Sequence, residues 1–339
     1  MRRNTSAGRR LAAQSDTNMS TDIPLPLPES APDQAAIKEY SDPSPMTPVQ
    51  PVQFGLDDTF QFSCHKGIAC FNKCCQNIDI MLAPYDILRL KKRLGISSRD
   101  FIDNFTRDFQ MDGHGMPGLK LATRDESPAC VFLTPEGCGV YADRPSACRY
   151  YALGLLSMRK KDSPTDEDSY FVVKEDHCLG HLEPKTQTVR EYRKEQGLED
   201  YDAINREWRQ IVLKKRSSGP TVGKPSERSM ELFFLASYNL DGFREFMTSP
   251  GFTELFELYP AEAQLLREND EQLLRFAFRF LKQALFGEIT IPLRADAADK
   301  RRERYRQRVE QLEREAAERK SMDQDAQYES LKHEGRDDE

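Results

Sequence analysis

The sequence predicts a mainly α-helical fold with few short strands, an irregular cysteine-rich core, and disordered N- and C-terminal tails. Three observations predict it. Four of the eight cysteines (Cys64, Cys70, Cys74 and Cys75) fall within twelve residues as C-x5-C-x3-C-C. Apolar residues recur at helical spacing through most of the chain after Pro84. Both ends are polar, and hydrophobic content is only 38% against 31% charged, which is poor for a chain compact along its whole length.

Residues 1–53 are rich in Ser, Thr, Pro, Asp and Gln and are punctuated by Pro24, Pro26, Pro28, Pro32, Pro43, Pro45, Pro48 and Pro51. Such a segment buries too little apolar surface to offset chain entropy and reads as a disordered tail. Residues 54–216 carry all eight cysteines. Inside them Pro84–Leu94 reads as a helix, with Ile87, Leu88, Leu90 and Leu94 at helical spacing and Gly95 as the stop. Ser97–Phe109 reads as a second, with Phe101, Ile102, Phe105 and Phe109 on one face. Ala129–Leu133 and Gly139–Tyr141 read as short extended pieces, and Tyr170–Val173 as a strand. Thr186–Arg216 reads as a polar helical stretch broken at Gly197.

Ser217–Pro225 reads as a loop. Residues 217–290 form a helical subdomain, in which Leu273, Leu274, Phe276, Ala277, Phe280, Leu281 and Leu285 make a core-facing stripe. Residues 291–339 hold a charged helix over Asp299–Lys320 and then a polar tail.

The formal net charge of −7 gives no argument for nucleic-acid binding. No apolar h-region follows Met1-Arg2-Arg3, and no run of about 18 apolar residues exists, so neither secretion nor a membrane span is expected. The expected location is cytoplasmic, where thiols stay reduced and grouped cysteines mean metal or redox chemistry more often than structural disulfides.

The remaining thiols are Cys130, Cys138, Cys148 and Cys178. Short spacings let one loop aim several sulfurs inward, and Gly67 would give that loop freedom to turn back. A closed four-thiolate site assembled from both groups would make metal binding part of folding. All eight cysteines are therefore candidate metal ligands. Arg144 and Arg149 would place guanidinium charge near thiolates and lower their pKa. The C-x2-C knuckles usual for zinc are absent, and C-x3-C occurs once. Iron–sulfur clusters accept more varied spacing, so an iron–sulfur cluster is the first choice of cofactor and zinc the alternative. His65, His177 and His181 lie beside the cysteines and are minor candidates for a zinc site. Asp86, Asp143, His114 and Tyr141 are polar candidates for which capping or packing is the commoner role.

These residues resemble the YkgJ-type cysteine-cluster family of zinc- or iron-chelating domains. The resemblance is carried by Cys64, Cys70, Cys74-Cys75, Pro84-Tyr85-Asp86, Arg89-Leu90, Cys130-Val-Phe-Leu133, Gly137-Cys138, Val140-Tyr141 and Arg144-Pro145-x-x-Cys148-Arg149, with Cys178-x-Gly180 beyond. It implies a metal and not a reaction, although members are commonly labelled iron–sulfur proteins and a related pattern occurs in flagellin lysine-N-methylases. Three functions follow as alternatives. One is an iron–sulfur protein with a redox role and a redox or protein partner not named by the sequence. Another is a zinc-stabilised interaction module. The third is a protein-modifying enzyme of the lysine methylase kind, for which neither G-x-G-x-x-G nor G-x-x-x-x-G-K-[ST] is present.

Overall fold

A computed structural model describes residues 52–113, 115–158, 167–217 and 226–334. Most of the expected N-terminal tail, the 218–225 loop, His114 and the last five residues lie outside them. The described chain is mainly helical, and its strands are two to six residues long.

Helix α1 runs Pro84–Leu94, the span the sequence predicts. Pro84 opens it, where a missing N–H costs nothing. The Asp86 carboxylate caps it by accepting from the Ala83 N–H at 2.8 Å, and Gly95 ends it in the left-handed region at φ 67°. Helix α2 is shorter than expected, at Ser98–Phe105. Ser97 caps it, the hydroxyl accepting from the Asp100 N–H at 3.0 Å. The expected last turn is instead a strand, Thr106–Gln110, paired antiparallel with Pro117–Leu121. Phe109 sits four residues after Phe105 and so mimics helical spacing. Pairing with the later strand wins, because the strand partner satisfies the backbone of a segment starting at β-branched Thr106.

Thr186–Thr188, expected to begin a helix, also forms a strand, antiparallel to Thr59–Gln61. Thr188 then caps helix α4 (Val189–Glu195) in a reciprocal box with Glu191. Gly197, at φ 63°, breaks the stretch where predicted, before helix α5 (Leu198–Ser217). Tyr170–Val173 falls largely in the strand Glu167–Val172, which pairs with Leu153–Met158.

Two apolar cores result. The larger joins Leu82, Leu90 and Phe101 of the cysteine-bearing segment to Trp208 of α5 and to the later helices α6 (Glu227–Tyr238), α7 (Leu240–Phe246) and α10 (Asp270–Phe286). The α10 stripe is buried as the spacing predicts, except that Leu285 is only partly covered. Each fully buried Leu or Phe there contributes about 1.5–3 kcal/mol. Trp208 is 3% exposed and donates through Nε1 to Ser237 Oγ at 3.0 Å, so its one polar atom is satisfied. The smaller core packs Phe60, Phe62, Tyr150, Tyr170, Val189 and Tyr192. The charged C-terminal helix extends further than its predicted end, over Ala297–Glu334. No helix among the described residues is long and apolar enough to cross a membrane.

Candidate metal centre

The first cysteine group lies on an irregular loop. The Phe62 N–H donates to Lys185 O and the Ser63 N–H to Gly180 O, both at 3.0 Å, so the start of the loop is fastened to the segment that follows Cys178. The chain then turns repeatedly, with Ile68 N–H to His65 O at 3.2 Å, Phe71 N–H to Ile68 O at 2.9 Å and Lys73 N–H to Cys70 O at 3.0 Å. The reversal falls at Asn72, in the left-handed region at φ 67°, and not at Gly67. Asparagine tolerates that conformation at low cost. A 3-10 turn, Lys73–Cys75, follows and leaves Cys74 Sγ and Cys75 Sγ 3.9 Å apart.

The second group is set by hairpins and one short helix. Cys130 ends the strand Ser127–Cys130 opposite Thr123, and its sulfur accepts from the Phe132 N–H at 3.4 Å. Cys138 stands opposite Leu133 in the next hairpin, whose Gly137 has φ 129° and lies against the Phe71 ring. Cys148 is on the helix Ser146–Tyr150, fixed to α1 because Asp86 accepts the Ser146 N–H at 2.8 Å and the Ser146 hydroxyl at 3.0 Å. Cys178 joins the first group. The Leu179 N–H donates to Cys70 Sγ at 3.2 Å, and Gly180 fits where any Cβ would stand 2.7 Å from Ser63 O and 2.6 Å from the Phe62 ring.

The two groups of thiols are near enough to act on one another. Partial burial pushes Cys64 up to about 11, and Cys74, Cys70 and Cys178 add to the rise. Burial raises Cys148 as well, followed by Cys130, Asp86, Cys138 and Cys74. Burial raises Cys138 and Cys130, with Cys74 contributing to the first and Cys138 to the second. Cys74 is raised chiefly by its hydrogen bond with Cys75 and then by desolvation. All eight cysteines are free. Among the described residues, however, no group of three or more His, Cys, Asp or Glu side chains is positioned to hold a metal ion. The expected closed four-thiolate site is therefore not formed; what the fold supplies is a neighbourhood of thiols that oppose one another's ionisation. A soft cation reverses the effect, because thiols that ligate it give up their protons and bind as thiolates.

The two arginines part company. Arg144 acts to lower both Cys64 and Cys138, and its guanidinium lies 4.0 Å over the Tyr141 ring. Arg149 has different partners. It is buried, donates to the carbonyls of Arg144 (3.0 Å), Ala142 and Gln196 (2.6 Å), and lies 4.4 Å over the Tyr201 ring. These bonds hold the backbone around Cys148.

Two of the neighbouring histidines are engaged elsewhere. His65 Nδ1 accepts from the Gly67 N–H at 3.2 Å and its Nε2 is 3.3 Å from Glu183. His181 Nε2 is 3.0 Å from Val173 O, and burial lowers its pKa. His177 Nε2 lies 3.6 Å from Glu175. Asp143 is bound by Arg89 at 2.9 and 2.6 Å. Sequence reasoning missed Tyr151. Its buried hydroxyl has no partner at bonding geometry and is raised by burial and then by Cys178 and Glu175. No spacing pattern singles it out. A sulfur donor set with an unsatisfied buried phenol beside it suits a thiolate-bound metal with one further polar neighbour.

Searches of curated proteins and of solved structures gave no match. A family model does match, over residues 63–179, about a third of the chain. Its description is "Putative zinc- or iron-chelating domain". The match runs from the residue before Cys64 to the residue after Cys178 and so encloses all eight thiols. Over residues 63–179 the chain is similar to the CxxCxxCC domain of the YkgJ-type cysteine-cluster family.

Proposed function

We propose that the chain is an iron–sulfur protein whose cysteines ligate the cluster and whose role is redox. The observation that carries this reading is the donor set. Eight free thiols fall within the matched domain, while His65 and His181 spend ring nitrogens on other groups. An all-sulfur set without paired zinc knuckles suits iron and sulfide better than a mixed Cys–His zinc finger. Bound there, the cluster would supply one-electron chemistry.

The chain's own residues prepare the place. Arg144 would balance the charge of thiolates at Cys64 and Cys138. Tyr151 would offer its hydroxyl to sulfur near Cys178, which tunes such centres. Cys64 and Cys74 are solvent-exposed, so an electron partner could approach from that side.

Metal analysis of anaerobically purified protein, joined to visible absorption and electron paramagnetic resonance, tests the proposal. Brown protein containing iron and sulfide, bleached by dithionite and giving a paramagnetic signal in one oxidation state, is the expected result. Colourless protein with stoichiometric zinc would replace it with the zinc-stabilised interaction module.

A further inference from the structure

We propose that Cys74 and Cys75 are a site of reversible oxidation, at which a peroxide closes a disulfide between the two neighbouring residues. Their reactivity does not depend on which metal the domain binds, because it belongs to the thiols while no metal holds them.

Consecutive side chains on a 3-10 turn stand about 120° apart around its axis, which ordinarily parts them. On the turn Lys73–Cys75 the last two side chains instead swing toward each other, and their Sγ atoms stand 3.9 Å apart in a shared hydrogen bond. No other two cysteines among the described residues share one. Cys70 and Cys130 accept from backbone instead, through the N–H groups of Leu179 and Phe132. The turn itself is fixed by three bonds of 3.0 Å, from Lys73 N–H to Cys70 O, Cys75 N–H to Asn72 O and Gln76 N–H to Lys73 O. Cys74 is exposed, so a small oxidant reaches the pair from solvent, while Cys75 is half-buried and packs against the larger core.

The chemistry balances with one hydrogen peroxide. The sulfur that gives up its proton attacks a peroxide oxygen while the S–H of the other donates to it. The O–O bond breaks, one water leaves, and a sulfenic acid remains. The second sulfur then attacks the first, the S–O bond breaks, and a second water leaves with the second thiol proton. Two thiols lose two electrons in all, and one peroxide becomes two waters. A resolving thiol already in contact intercepts the sulfenic acid before more peroxide carries it to the irreversible sulfinic acid.

The bond so formed is a switch and not a staple. Consecutive Cα atoms are held about 3.8 Å apart, short of the roughly 4.4–6.8 Å that relaxed disulfides span. A disulfide closed across that spacing is strained and readily reduced by glutathione or another thiol. While closed, it removes two of the eight candidate ligands from use.

Trypsin isolates the pair for the test. Cleavage after Lys73 and Arg89 releases the peptide Cys74–Arg89, which contains no other cysteine. Iron and zinc are measured first in the full chain. The chain is then freed of metal by chelator, checked for unchanged helical circular dichroism, treated with graded hydrogen peroxide, blocked with iodoacetamide and digested without reductant. The first product expected is this peptide, unalkylated and two hydrogens lighter, which glutathione returns to two alkylatable thiols. In Cys75→Ser, Cys74 is expected to run on to sulfinic acid. A first disulfide that joins either sulfur to a cysteine of another peptide would overturn the proposal, as would sulfinic acid at the pair in the unsubstituted chain or a pair that stays fully alkylatable. Should chelation unfold the chain, the loaded chain is treated instead, and the same peptide must lighten before any disulfide joins two peptides. None of these outcomes alters the metal content measured beforehand, so failure here leaves the metal reading to its own test.

Discussion

Asp86 and Ser146 are joined twice across 60 residues, the carboxylate accepting both the Ser146 amide at 2.8 Å and its hydroxyl at 3.0 Å. Asp86 is 0% exposed and also caps α1. One buried side chain therefore starts the helix that carries Arg89 and anchors the helix that carries Cys148.

That burial has a pH signature. Desolvation pushes Asp86 up to about 6, against lowering by its hydrogen bonds to Ala83 and Ser146 and by Arg149. The folded chain thus holds this proton more tightly than the unfolded chain, whose carboxyl titrates near 4. The stabilising contribution is full below about pH 4 and is lost as pH rises through 6, by about 3 kcal/mol. Urea unfolding of the unsubstituted chain and of Asp86→Asn from pH 4 to 7 measures it. The difference between the two should drift in favour of Asn by about that amount. A difference flat in pH would contradict the assignment.

Asp241 behaves in the opposite sense. Although burial alone would raise it, Lys91 and the Ser98 amide and hydroxyl hold it down to about 2. Lys91 Nζ lies 2.8 Å from it with a side chain only 8% exposed. Its contribution is present above about pH 4 and disappears as pH falls through 2. Asp241→Ala leaves Lys91 partly stranded and should cost about 3 kcal/mol at pH 7. Much of that cost should be absent from a comparison made at pH 2.

The two arginines of the R-P-x-x-C-R stretch should separate by experiment. Arg149→Lys loses a fork of donors to three carbonyls and should cost about 2–3 kcal/mol in denaturant. Metal per folded chain should stay unchanged. Arg144→Gln gives up donors to Tyr141 O at 2.8 Å and Gln196 Oε1 at 2.6 Å and should in addition shift the pH dependence of Cys64 alkylation upward. Equal effects on metal content would place both guanidinium groups at the thiols.

Gly180→Ala introduces a methyl group 2.7 Å from Ser63 O, and backbone cannot step aside as a side chain tip can. A destabilisation of about 1–3 kcal/mol is expected. Faster alkylation of Cys178 and Cys64 should accompany it, and wild-type alkylation rates would show that the close approach is dispensable.

Trp208→Ala opens the larger core and unpartners the Ser237 hydroxyl. The expected cost is about 3–5 kcal/mol, read from denaturant midpoints. A loss under 1 kcal/mol would mean that α5 and α6 repack freely.

Local features were legible from sequence and distant ones were not. Helix α1 is bounded as predicted because Pro84, Gly95 and the apolar spacing all lie within it. The end of α2 was misread because the partner of Thr106–Gln110 is a strand separated from it by a loop, and periodicity cannot see a hairpin partner. The thiol clustering was visible as spacing, but the attachment of Cys178 beside Cys70 depends on a hydrogen bond spanning 109 residues. Arg149 and Arg144 look equivalent in the motif. Only the fold shows that Arg149 braces three backbone carbonyls while Arg144 lies over the Tyr141 ring and donates to Tyr141 O and Gln196.

The pairing of Thr59–Gln61 with Thr186–Thr188 also fixes an order of events during synthesis. A nascent chain that has emerged as far as Cys148 already displays seven of its eight sulfurs. The clasp that draws the first of them against the last does not exist until some forty residues later leave the ribosome, about 2–8 seconds at ordinary translation rates. Through that interval the early sulfurs lack the strand that later pairs beside them.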